Sequence, residues 1–370
     1  MTDATQPVAA APESRLLKVQ FTGNAADFFA IWIVNVLLTV LTLGIWSAWA
    51  KVRTKRYFLG NTKLDSVGFE YHATGWQILR GRLLVVGALL IYSMIAEYEP
   101  YLGLAILVAY VLATPWLINK SLLFNARATN WRNVRFDFAP RYGRAFMAFF
   151  IWPAIGFLSL GVLIPAATRA SARYLGNHHR FGISRFSVTP PLGPYYGAAF
   201  GFLVITLGIF AIGIAAWSTA HEYALQIWAY NDLNLPIADD WSDIVASLYA
   251  IFAYAAAIAV FTFAGPPAQY YRAMTRNVSL NALRLAGQHR FRSALPPIRF
   301  MFLALVTTLA TLLTLGLAYP WARVTLYRAL ADSVSVELVG DLDSFVTASG
   351  QLGSSFGSEF SDIQDIDVTV

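Results

Sequence analysis

Five histidines and a few carboxylates are the residues on which metal or acid–base chemistry could rest. His178 and His179 adjoin, His72 and His289 lie in other polar segments, and His221 precedes Glu222. A metal centre needs three or four convergent ligands, usually at recognisable spacings. No such spacing occurs, and the chain has no cysteine, which excludes disulfides, thiolate metal sites and cysteine nucleophiles. The histidines read instead as hydrogen-bond partners of backbone or lipid headgroups. Asp65, Glu70 and Asp137 could serve an enzyme at a lipid interface, but they stand among arginines and read first as their surface partners. There is no phosphate-cradling loop, dinucleotide fingerprint or nucleophile elbow. No catalytic residue, metal or cofactor is assigned, and enzymatic activity is not expected.

What surrounds these residues is apolar. Hydrophobic residues make up 57% of the chain and charged ones 13%, about half the charge of a typical soluble domain. The 27 Lys and Arg residues fall into clusters, with none between Lys18 and Lys51, Arg82 and Lys120, Arg144 and Arg169, Arg185 and Arg272, or Arg299 and Arg323. The gaps hold apolar runs at 28–50, 83–96, 102–117, 145–167, 196–217, 244–264 and 300–321. A bilayer crossing takes roughly 20 such residues. The fold class is therefore a mainly α, polytopic membrane protein. The basic clusters border these runs, so they point to anionic headgroups rather than to nucleic acid.

Seven simple crossings would put 15 of the 27 cations on one side and 12 on the other, against the positive-inside rule. If the first, fourth and seventh runs enter and return on one side, every cation is cytoplasmic. The outer connections then hold only acids: Glu97 and Glu99 in one, and Glu222, Asp232, Asp239, Asp240 and Asp243 in the other. The three exceptional runs share a break, at Thr42-Leu43-Gly44, Ser159-Leu160-Gly161 and Thr314-Leu315-Gly316. Glycine permits a reversal, and a hydroxyl can satisfy the freed backbone groups. Gly44, Gly161 and Gly316 are thus the expected helix breaks. Pro153 and Pro165 further divide the middle run. Transmembrane hairpins and three broken or re-entrant units would then alternate.

An arginine follows each glycine by twelve residues, at Arg56, Arg173 and Arg328, and Tyr57 and Tyr174 follow two of them. These five side chains are the expected headgroup or interface contacts, meeting lipid phosphate or a carboxylate. Asn35 within the first run and Asn119 just past the end of the third are the candidate intramembrane polar residues. Asn35 could line a polar cavity or make a helix–helix hydrogen bond. Short alternating segments at 18–23, 68–75, 134–140, 185–191, 289–297 and 334–341 read as cytoplasmic β-strands. Their unpaired backbone calls for one sheet or several hairpins.

Residues 1–17 are expected to form a disordered tail without a signal-peptide pattern, 18–345 a single integral membrane domain with internal repeats, and 346–370 a disordered acidic tail. The stretch from Gly23 to Asn61, with segments 277–295, 317–322 and 338–345, resembles the YjgN family of bacterial inner-membrane proteins. The resemblance implies an inner-membrane location and carries no established activity. Two functions remain open: a conduit or carrier for a small neutral solute or lipid-like amphiphile, and a non-catalytic scaffold recruiting a cytoplasmic protein partner. Membrane lipids are partners in both, and nucleic acid in neither.

Overall fold

The structure, a computed structural model, describes residues 14–231 and 265–350. The apolar run 244–264, the outer connection from 232 and most of both expected tails lie outside the described residues. Five consecutive units have one plan: a strand, an outgoing helix, a return helix and a second strand. The first is β1 (Ser14–Phe21), α1 (Ala25–Leu41), α2 (Ser47–Gly60) and β2 (Thr62–Leu64). The second is β3 (Val67–Tyr71), α3 (Gly75–Tyr98), α4 (Pro100–Arg127) and β4 (Thr129–Trp131). The third is β5 (Val134–Phe138), α5 (Tyr142–Leu158), α6 (Ile164–His178) and β6 (His179–Phe181). The fourth is β7 (Ser184–Val188), α7 (Gly193–Asn231), α8 (265–281) and β8 (Leu283–Leu285). The fifth is β9 (His289–Ser293), α9 (Pro297–Leu313), α10 (Tyr319–Asp332) and β10 (Val334–Val339), after which α11 (Leu342–Gly350) follows.

The ten strands close into one antiparallel barrel, β10 returning to pair with β1. Closure leaves no edge strand. Each unit pairs its own two strands through an apolar couple: Val19 with Leu64, Phe69 with Trp131, Phe136 with Phe181, Phe186 with Leu285, and Phe291 with Val336. Period-2 alternation sends these side chains to one face, where they form a single apolar core. Lys18, Arg135, Arg185 and Arg290 alternate onto the opposite face. The sequence patterning finds β1, β3, β5, β7, β9 and β10. The other four strands are only three residues long, too short to alternate visibly. Tight turns join them to the strands that follow: Asp65-Ser66 and Arg132-Asn133 both have positive φ, the geometry suited to two-residue hairpins.

Antiparallel closure also dictates polarity. All five helical hairpins leave one rim, and the β-turns lie at the other. At the turn rim α11 folds back, and Leu342, Phe345 and Val346 join the barrel core. The tail boundaries expected from composition shift accordingly: residues 14–17 belong to β1 and 346–350 to α11.

Under this plug lies His289, 1% exposed, its ring 4.2 Å from that of Phe345 and its Nδ1 accepting from Val339 N at 3.2 Å. Burial lowers its pKa; burial and the nearby Arg144, Arg141 and His179 charges lower that of His178, against a backbone bond to Tyr174. The unfolded chain therefore binds more protons than the folded one once pH falls below about 6.5. Stability should decline from there through the lower folded-state values. Melting of the solubilised protein at pH 7.5 and 5.5 checks this, and His289→Phe should shrink the difference.

Candidate functional site

The three short hairpins reverse through one turn repeated almost degree for degree. Leu43, Leu160 and Leu315 have φ of 49°, 52° and 50°, and Gly44, Gly161 and Gly316 have 91°, 91° and 93°. A φ near 90° is open to glycine and strained for other residues. The hydroxyls of Thr42, Ser159 and Thr314 accept from Trp46 N, Leu163 N and Ala318 N, each at 2.9 Å, capping the return helix. The outgoing helix thus ends 17 residues after it starts in α1 and α9. Pro153 does not end α5; a π-turn at Met147–Ile151 absorbs it. The leucines at these turns are 94%, 96% and 95% exposed. In the second unit α3 and α4 run 24 and 28 residues before meeting at Glu99, and α7 is also long and apolar enough to span.

Below the turns the return helices form a closed ring. Lys55 of α2 donates to Asn125 of α4, Tyr174 of α6 to Asn119 of α4, and Tyr271 of α8 to Thr168 of α6. Arg276 of α8 reaches Leu330 O of α10 at 2.6 Å, and the Tyr327 ring of α10 lies 4.6 Å from Phe58 of α2. Outgoing helices sit between consecutive return helices: α1 touches α10 and α2, and α3 touches α2 and α4. Five more helices cannot fit inside a ring of five, so they lie outside it, with their apolar faces exposed.

Two positions on the return helices repeat as latches. Six residues before the strand, Arg56 donates to Tyr71 O and Ala73 O at 3.1 Å, Arg328 to Gly23 O at 2.7 Å, and Asn277 to Leu295 O at 2.7 Å. Each binds the strand-exit loop of the next unit. Arg173 shares the position but makes no such bond; Arg169 instead donates to Pro190 O at 2.7 Å. One residue later, Tyr57 brackets its own unit's Asn24, accepting from N at 2.8 Å and donating to O at 2.6 Å. Tyr174 brackets Arg141 in the same way, at 3.3 and 3.4 Å. Sequence register thus places these five side chains at equivalent points, and within the protein Arg56 and Arg328 donate to backbone carbonyls. Asn277 is the latch that sequence missed, since it is not an arginine.

Asn35 Oδ1 accepts from Arg53 at 3.2 Å and Trp46 at 3.4 Å, while its buried Nδ2 has no partner. Asn119 serves the helix–helix bond with Tyr174. Asp65 pairs with Arg15 and Arg132, Asp137 with Arg127, and Glu70 with His72. His178 and His179 each use Nδ1 on a backbone carbonyl one turn back, at 2.7 Å. Among the described residues no three His, Asp or Glu side chains converge as a metal set.

A band of cations crosses the ring at one height. Lys51, Lys120, Arg169, Arg272 and Arg323 lie nine to eleven residues before their strands, about 15 Å above the barrel rim at 1.5 Å per residue. Beyond them the described residues of all five hairpins carry no Lys or Arg. Such a band belongs at a headgroup layer.

Residues 16–363 match a family described as a bacterial protein of unknown function, DUF898. The inner membrane protein YjgN of Salmonella typhimurium is 29% identical, over 88% of this chain and 89% of that protein. The proteins of that name from Escherichia coli O157:H7 and strain K12 are each 25% identical, over 87% of this chain and 88% of theirs. No solved structure matches.

Proposed function

From the premise that the chain belongs to the DUF898 family of bacterial proteins, we propose that it is a multi-pass inner-membrane carrier that admits a lipid-like amphiphile at the cytoplasmic leaflet and passes it to the other. The observation that carries this reading is the set of three turns whose leucines are almost wholly exposed. They stand only eight or nine residues, about 12 Å, beyond the cation band. One leaflet of hydrocarbon is about 15 Å thick. Tips of this kind enter one leaflet and return, while the α3–α4 hairpin and α7 are long enough to cross. The barrel then stands on the cytoplasmic side, and the connection carrying Glu97 and Glu99 faces outward.

An aqueous conduit has less support. The barrel interior is filled by Phe69, Trp131, Phe136, Phe181 and Phe291, and α11 closes its far mouth. That same closed mouth favours a second reading, a membrane platform whose barrel and α11 hold a cytoplasmic protein. Liposomes carrying the purified protein, small neutral solutes and a fluorescent phospholipid separate the two. Phospholipid exchange between leaflets above empty vesicles, without solute flux, is expected. No movement of either would leave the platform.

A further inference from the structure

A groove opens at the junction between the fifth and first units. Between the first and second units Trp49 packs over Gly75, where an added Cβ would lie 2.5 Å from the indole, and meets Trp76 at 5.3 Å. Between the third and fourth, Tyr271 closes on Thr168 at 2.9 Å. Between the fifth and first a groove of about 400 Å³ stays open, lined by Phe28, Trp32, Thr54, Thr311, Tyr319 and Arg323, with Gly316 at its head. A Cβ at Gly316 would meet nothing within 4 Å. The groove therefore opens where Leu315 stands exposed.

Its chemistry is graded along its length. The Gly316 end belongs to the apolar tip. Seven residues on, about 10 Å lower, Arg323 stands in the cation band. Among the described residues Arg323 has no carboxylate partner; it touches Tyr319 Oη at 3.4 Å and the face of Phe58. Among the described residues no acidic side chain lines the groove. The Trp32 ring lies between these ends, 5.9 Å from that of Tyr319, and Phe28 packs against Phe58 at the Arg323 end. A lone guanidinium below an aromatic, membrane-facing channel complements one phosphodiester with an attached acyl chain.

We infer that this groove binds one anionic phospholipid, its phosphate on Arg323 and an acyl chain along Trp32 toward Gly316. The inference rests on the membrane reading above and names the ligand class. The test is native mass spectrometry of the full chain in detergent, with phosphatidylglycerol, phosphatidylcholine or inorganic phosphate added. One phosphatidylglycerol should be retained in preference to the other two. Arg323→Gln should weaken retention at least about tenfold, and Thr311→Phe, which fills the groove, should do the same while Arg323 remains. Unchanged melting of both variants keeps a folding defect apart from a binding defect. Equal retention by wild type and both variants would overturn the site, as would equal binding of phosphate alone. Either result leaves the liposome experiment free to stand or fail separately.

Discussion

Gly182→Val is expected to unseat α11 and to be among the most damaging single changes in the barrel. Gly182 begins the β6–β7 turn at φ 55°, and a Cβ there would lie 1.9 Å from Ser349 O. The clash is with backbone, so no side-chain rotation relieves it. Ser349 O also accepts from Ile183 N at 3.1 Å, and Ser349 Oγ pairs with Ser184 at 3.0 Å. Losing these ties frees Phe345 and Val346 from the core. Strain at such a φ costs roughly 1–3 kcal/mol for a β-branched residue, with the lost burial added. Limited proteolysis should cleave the variant within 342–350 much faster than wild type, with a lower melting temperature. Gly193→Ala, where an added Cβ meets nothing within 4 Å, should behave as wild type.

Arg276→Leu should be comparably severe at the other rim. The Arg276 guanidinium joins three elements: Ser293 of β9 at 2.9 Å, Ser333 before β10 at 3.1 Å, and Leu330 O of α10 at 2.6 Å. Leucine leaves all three without this donor in a half-buried site. Bonds from a charged donor contribute roughly 1.5–3 kcal/mol each, not additively, so a loss of about 3 kcal/mol is expected in denaturant unfolding. Arg276→Lys should recover only part of it, because one ammonium cannot reproduce the planar fork.

The hairpin plan is legible in the chain because it is written in charge. Gaps between cations locate the apolar hairpins, and the Thr/Ser-Leu-Gly breaks coincide with the three turns. The equality of the five units is harder to see. Helices of 17 residues in α1 and 28 in α4 hide a common strand framework, and strands such as Thr62–Leu64 leave no periodic trace. Arg56, Arg173 and Arg328 are found by spacing, yet their partners could not be: backbone carbonyls carry no residue signature. The closure of the barrel and the seat of α11 depend on contacts between residues more than 150 positions apart, as between Ser184 and Ser349, which no local pattern records.

The half-depth return of the third hairpin is the claim on which membrane plan, leaflet reading and lipid groove all rest. The chain lacks native cysteine, so single replacements report cleanly. Arg144→Cys precedes this hairpin, Arg173→Cys follows it at an exposed position, and Tyr101→Cys marks the apex of the α3–α4 hairpin. In intact cells treated with an impermeant thiol reagent, position 101 should be labelled. Positions 144 and 173 should both stay protected until the membrane is opened. Labelling of just one of those two from outside would make residues 145–167 an ordinary crossing and contradict the fold's placement in the bilayer.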